Sequence, residues 1–257
     1  MSVKWVLRNK TVWRVIRRLM RWILSRPASM ILLSRELGFA DGKTRRWFKK
    51  DVARFLKALE HEVQFQRGIA NFEELPTIGN RIMVEFATYT AASYRVMIKL
   101  GISRVSARQT IADIGWDVYA PLLRLSSLPF RLVTRDSAKR LRWTIHSLLR
   151  FPFSATGAPG YAVKHWTDHQ NVYTHFTHCP PQSFVRRLVQ ETGDQGDMDA
   201  FYHSWCLYDW PGSDVIANDG QRGHYHRQQT LSRGDPVCDM CWAAQIEPAV
   251  RQVADGQ

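Results

Sequence analysis

Asp235, Cys238, Asp239 and Cys241 place two thiols and two carboxylates within seven residues, beside a Gly234-Asp235 turn signal. Thiolates attack electrophilic carbon or bind soft metals, and carboxylates take or orient protons. This spacing therefore suits a nucleophilic site with a proton-handling group beside it, or a metal centre. A second thiol–acid pair, Cys206 and Asp209, precedes it. There Asp209 could accept a proton, orient a base or bind a substrate ammonium group. Cysteine is scarce, with four in 257 residues, all beyond position 178. A single cysteine is more often a small buried hydrophobe, and Cys206 beside Trp205 fits that description. The clustering is what argues for a site.

Zinc takes four nitrogen or sulfur ligands, usually from closely spaced pairs. Only Cys238 and Cys241 have that spacing, and on a regular strand residues three apart point to opposite faces. A zinc held by Cys179, Cys206, Cys238 and Cys241 is thus an alternative that ranks below a metal-free site, and no other cofactor is expected. Seven of the nine histidines lie beyond residue 164, so a thiol–imidazole–carboxylate set can be assembled in this region. On a strand His224 and His226 would share a face, able to hold a metal ion or a substrate; an exposed histidine pair is the plainer alternative. The GxxxxGK[ST] and GxGxxG phosphate loops, the GxSxG elbow and HExxH are absent.

The elements that must position these residues read as α+β, with a helical N-terminal half and a mixed strand and helix C-terminal region carrying an antiparallel sheet. Arg14, Arg17, Arg18 and Arg21 follow helical spacing, with Val12, Ile16, Leu19, Met20 and Ile23 on other faces. This predicts a basic amphipathic helix ending near Pro27, where proline disfavours continuation. Helices are expected over Lys43 to Gly68, Asn80 to Leu100, from Ser103 or Ser106 onward, and over about Asp136 to Phe151. Val172 to His178 alternates like a strand. Short helices are expected over Ser183 to Glu191 and Met198 to Leu207, and a loop over Asp209 to Gly223. Strands over His224 to Leu231 and Pro236 to Trp242 would be joined as a hairpin by Ser232 to Asp235. The resulting division is a basic helix region over 1–40, a helical region over 41–152, a cysteine-bearing region over 153–245 and a tail over 246–257.

The net charge of +13 is uneven. Residues 1–60 carry 16 Lys and Arg against 4 acids, and residues 164–257 carry 7 against 12. A basic surface for an anionic partner, with separate chemistry elsewhere, is the expectation. Arginine and tryptophan on the first helix suit an anionic membrane surface reached through residues 1–25. A helix packed on the domain with a solvated arginine face competes evenly with that reading. Nucleic acid ranks last, because no recognised binding motif accompanies the charge. The chain holds no uncharged apolar run of ~18 residues, so no transmembrane helix is expected. Four cysteines in this length do not form a disulfide scaffold, which makes reduced thiols and a cytoplasmic protein, peripheral at most to a membrane, the default.

A Cys-Pro after a strand, a later Cys-x-x-Asp and then Arg-x-x-Thr-Leu-x-x-Gly-Asp-x-x-Cys-Asp resemble the L-2-amino-thiazoline-4-carboxylic acid hydrolase family. The residues are Cys179-Pro180, Cys206 with Asp209, and Arg227, Thr230, Leu231, Gly234, Asp235, Cys238 and Asp239, within roughly 172–242. The helical N-terminal half is similar in style. The resemblance implies a small-molecule substrate and hydrolytic opening of a cyclic C–N bond at a carbon flanked by nitrogen and sulfur, attacked by a thiolate or an activated water. It implies Cys238 as first thiol, Cys206 as second, Asp209 and Asp239 as proton-handling or orienting groups, and His226 as base. Arg227, Asp235 and His203 are the expected substrate-binding residues. Family members commonly continue the last motif as Cys-Asp-Phe-Arg, whereas this chain has Met240 and Cys241 there.

Overall fold

A computed structural model describes residues 10–244. Residues 1–9 and the expected tail at 246–257 lie outside it. Helix α1 spans Lys10–Ser34, and a small hairpin of β1 (Glu36–Gly38) and β2 (Thr44–Arg46) follows. Helices α2 (Lys49–Ile69), α3 (Ile78–Lys99), α4 (Arg104–Val133) and α5 (Ser137–Arg150) complete the helical half. Strands β3 (Ala162–Asp168) and β4 (Asn171–His178) then lead into α6 (Pro180–Thr192), α7 (Asp197–Ser204) and α8 (Asp209–Ala217). The described chain ends with β5 (Tyr225–His226) and β6 (Cys238–Trp242). The α+β expectation holds: helices come first, then an antiparallel four-stranded sheet in the order β3-β4-β6-β5.

Capping side chains set several helix starts. The Thr77 hydroxyl accepts from the Asn80 N–H at 3.1 Å, and Asp136 accepts from the Lys139 N–H at 3.0 Å, each satisfying an otherwise orphaned donor. Helix α3 is buried almost all round, with Val84, Ala87, Ala92, Val96 and Met97 in the core, because α2, α4, α6 and α7 all pack on it. From α3, Arg95 reaches out to hold the α6–α7 junction. Its guanidinium donates to both carboxylate oxygens of Asp197 at 2.7 and 2.8 Å, to Thr192 Oγ1 and to the Gly193 carbonyl. Both partners are almost fully buried, so this paired, hydrogen-bonded charge fixes where α7 leaves for the site.

Three expected boundaries are corrected. Helix α1 runs through Pro27 to Ser34, because Ala28, Ile31 and Leu32 beyond the proline are buried in the core, and that packing outweighs the lost backbone bond. Asp209–Ala217 is helical, not a loop. Pro211 falls in its first turn, where the missing N–H has no partner to lose. Arg140 on α5 donates to the Ile216 and Ala217 carbonyls, closing the far end. Finally, β5 is only Tyr225–His226, and its link to β6 is a long structured loop, not a tight hairpin.

Alternation assigns the sheet faces. Val172, Thr174, Phe176, Cys238, Met240 and Trp242 point inward onto α5, α8 and the N-terminal end of α3, whose Met83 packs with Phe176, Tyr161 and Cys238. The outward face carries Trp166, Tyr173, His175, Asp239, Cys241 and, in register with Cys241, His226. Two of the expected thiols are thereby separated, as strand geometry requires.

Candidate active site

The site forms where α8 begins beneath the inward face of β6. Just before α8, the Tyr208 side chain reaches α4, its hydroxyl donating to the Ala112 carbonyl at 2.6 Å. Gly115 leaves the space: a Cβ there would collide with the Tyr208 hydroxyl. Tyr208 also stacks on Tyr119, with centroids 5.6 Å apart. This anchor sets Asp209 as the first residue of α8 and turns its carboxylate inward. Asp209 Oδ2 accepts from the Tyr225 hydroxyl at 3.2 Å and from Arg227 Nη1 at 3.3 Å. Arg227 Nη2 donates to the Cys206 carbonyl at 3.0 Å, and the guanidinium lies over Trp210 at 4.7 Å. With a side chain only 2% exposed, Arg227 is a positioning residue for Asp209 and not a free hook for a substrate carboxylate.

The loop from Arg227 to Val237 is built by its own motif residues. Asp239 Oδ1 accepts from the Gln228 and Gln229 N–H groups at 3.0 and 2.6 Å, and Asp235 Oδ2 accepts from the Thr230 N–H at 2.7 Å. Gly234 takes a left-handed φ of 98°, which closes the short turn Leu231–Arg233. The loop thereby aims two groups at Cys238. The Leu231 N–H donates to Cys238 Sγ at 3.2 Å, and the Thr230 hydroxyl shares a hydrogen bond with it at 3.4 Å. Ser232 links the Thr230 hydroxyl at 3.3 Å to Cys206 Sγ at 3.2 Å. Asp235 and Asp239 are thus consumed as loop anchors, with their carboxylates on backbone donors.

Cys179, Cys206 and Cys238 share this interior. Cys179 and Cys238 belong to one packed cluster with Tyr161 and Phe176, while Cys206 joins through Ser232 and Thr230. Burial pushes the Cys206 thiol up to about 12, and Cys179 well above its ordinary value. Burial also raises Cys238, although Thr230, the Leu231 N–H and Arg227 all pull it back. Burial pushes Asp209 up to about 6, against the opposing pull of Arg227 and Tyr225. At neutral pH the carboxylate is therefore ionised and paired, while a mild drop in pH protonates it. Burial works against the Arg227 charge, but Tyr225, Asp209 and the thiols together raise its pKa, consistent with an ionised partner. Cys179, Cys206 and Asp209 are half-buried.

The expected residues divide into two groups. Cys238, Cys206, Asp209 and Arg227 come together with Cys179. His226 stands on the outward sheet face opposite Cys241, because it pairs with an odd-numbered β6 residue while Cys238 is even. Its ring is not brought to Cys238, and Cys241 leaves the thiol cluster for the same reason. His224 is buried on its own, its ring nitrogens 2.9 Å from the Ala243 carbonyl and 3.2 Å from Asp219. His203 sits on α7 against Asp199, away from the thiols. Among the described residues, no group of three or more His, Cys, Asp or Glu side chains is placed to hold a metal ion. Sequence reasoning missed Tyr225, Ser232, Tyr119 and Tyr161. Tyr225 and Ser232 had a local signal, since one sits two residues before Arg227 and the other lies between Leu231 and Gly234. Comparison with known proteins returned no matching family model, no matching curated protein and no matching solved structure.

Proposed function

We propose that this interior site hydrolyses the cyclic C–N bond of a thiazoline-type amino acid or a related small molecule, as the resemblance to the L-2-amino-thiazoline-4-carboxylic acid hydrolase family implies. The observation that carries the reading is convergence. The three motif segments at Cys179, at Cys206 with Asp209 and at Arg227 to Cys238 are far apart in the chain, yet meet around one ionisable carboxylate. Asp209 is the general base, being ionised at neutral pH with a proton affinity close to the working range. It removes a proton from water as the water oxygen bonds to the ring carbon between nitrogen and sulfur and the C=N π electrons pass to the ring nitrogen, which takes that proton from Asp209. Asp209 then takes the remaining hydroxyl proton as the carbonyl forms and the ring C–N bond breaks, and passes it to the departing nitrogen, which leaves as an amine. Arg227 and Tyr225 orient the carboxylate. Cys238, held by Leu231 and Thr230, is a neutral thiol that shapes the wall beside the ring, because burial disfavours its thiolate.

The test is ring opening of 2-amino-thiazoline-4-carboxylate and of related cyclic amidines, followed by release of product. Turnover by the wild-type chain and its loss in Asp209→Asn, with the fold retained, is the expected result. Absence of turnover on every cyclic substrate, or full turnover by Asp209→Asn, overturns it. The raised thiols favour one second reading, a pocket that binds a cyclic ligand without converting it. Thermal stabilisation by such a compound without product formation would select that reading.

A further inference from the structure

A cavity of about 830 Å³ opens in the helical half, away from the thiols, between α1, α2 and α3. Arg14, Arg17, Arg18 and Arg21 line it from α1, facing Arg67 of α2 and Arg81 of α3. Two carboxylates, Glu60 and Glu73, share the wall, and Glu85 lies fully buried behind it. Arg17 and Arg67 both bind Glu85, Arg21 reaches Glu60 only at 3.8 Å, and the Glu73 side chain facing Arg81 is largely in solvent. Arg14 and Arg18 have no carboxylate partner among the described residues. Among the described residues, six guanidinium groups therefore face three carboxylates in one concave wall. Like charges held this close repel, and that cost is relieved by a bound anion.

The arginines are also held in place. Arg17 lies over Phe72 at 5.7 Å, Arg67 over Tyr89 at 5.7 Å and Arg81 over Trp13 at 5.9 Å. Stacking on aromatic faces orients the planar donor fork before a ligand arrives, so less side-chain freedom is lost on binding. Several such forks around one space match a group with many acceptor oxygens and more than one negative charge. The volume falls in the range of small-molecule sites, roughly 300–1,000 Å³.

We propose that this cavity binds a multiply charged phosphate-bearing anion, either a free polyphosphate or the phosphoryl headgroup of an anionic lipid. Val15, Leu19 and Trp22 lie exposed on the same α1, which suits the lipid source, while arginines converging on it from three helices suit the free one. The site is independent of Asp209 and Cys238, and its failure would leave the hydrolase reading untouched.

The experiment measures binding of inorganic tripolyphosphate by calorimetry and, in a second arm, co-sedimentation with phosphatidylcholine vesicles carrying phosphatidylglycerol. It compares the full chain, Arg14→Gln/Arg18→Gln and a charge-matched control, Lys49→Gln/Lys50→Gln. Saturable tripolyphosphate binding, weakened about tenfold or more by the arginine pair and not by the lysine pair, supports the proposal with a soluble source. Vesicle binding with the same selectivity, and no uptake of tripolyphosphate, supports it with a lipid source. Binding in neither arm, or equal loss in both double variants, overturns it. Both pairs are exposed, so the fold is expected to persist, and an unchanged melting temperature checks this.

Discussion

Glu85 and Asp209 are both carboxylates withdrawn from bulk water and both held by arginine, yet their surroundings differ in charge balance. Glu85, fully buried, takes Arg17 and Arg67, and further arginines stand nearby. Asp209 has one guanidinium, Arg227, a phenol from Tyr225, and thiols and aromatic rings around it. An excess of positive charge makes the first region a place for an incoming anion. A single compensating charge in an apolar interior makes the second a place where a proton can come and go. The same pair of side-chain types thus serves two purposes, set by the number of neighbouring charges.

The largest contrast is expected in catalysis. Asp209→Asn should lower turnover of a cyclic C–N substrate by roughly 10²–10⁴-fold, the usual range for a lost general base. Glu85→Gln and Arg14→Gln/Arg18→Gln should leave turnover within about twofold, since they are remote from the reacting atoms. In the wild-type chain, kcat/KM should rise with pH through an apparent pKa of about 6. A limb that persists in Asp209→Asn would place the titrating group elsewhere.

Stability separates the regions next. Arg227→Leu leaves Asp209 buried without its charge partner and should cost about 3–5 kcal/mol in chemical denaturation. Adding Asp209→Leu should restore most of that loss, because the uncompensated charge goes with it. If the double variant is no better than the single, packing and not charge holds the pair together. Glu85→Gln should cost less, about 1–3 kcal/mol, because its hydrogen bonds to Arg17 and Arg67 can partly persist.

The last contrast is the pH slope of stability. Asp209 has a folded pKa of about 6 against an ordinary 3.8, so the folded state binds its proton more tightly than the unfolded state. Its stabilising contribution is full below about 3.8 and is lost as pH rises through about 6, by at most ~3 kcal/mol. Urea denaturation between these limits should show this decline in the wild-type chain and a flatter difference in Asp209→Asn. An identical slope in both would remove Asp209 as the titrating group.

Patterns carried by neighbouring residues were legible directly. The α+β order, a helix starting at Ser103 or Ser106 and another at about Asp136, the strand at β4 and the separation of Cys238 from Cys241 all rest on local periodicity. The arginine stripe of α1 rests on the same periodicity. That Cys206, Asp209, Arg227 and Cys238 meet does not, because their segments are distant in the chain and only the fold joins them. The roles inside the motif were not legible. Asp239 is expected from the resemblance as a proton-handling group and Asp235 as a substrate-binding one, but both serve backbone N–H groups in the fold. The β1–β2 hairpin was missed although Asp41-Gly42 marks its turn, because a helical pattern was extended over it.

The remaining decisions depend on contacts between distant residues. Whether Asp209–Ala217 is loop or helix turns on Arg140, more than 70 residues away, reaching its last carbonyls. Whether α1 stops at Pro27 turns on core packing beyond the proline. Sequence by itself determined the helical and strand periods, the opposite faces of Cys238 and Cys241 and the basic face of α1, since those follow from backbone geometry and residue type. Only the tertiary structure decided the charge environment of Asp209, the exile of His226 to the outer sheet face and the gathering of six arginines along one concave wall. Burial and charge compensation depend on residues that the chain brings together only when folded.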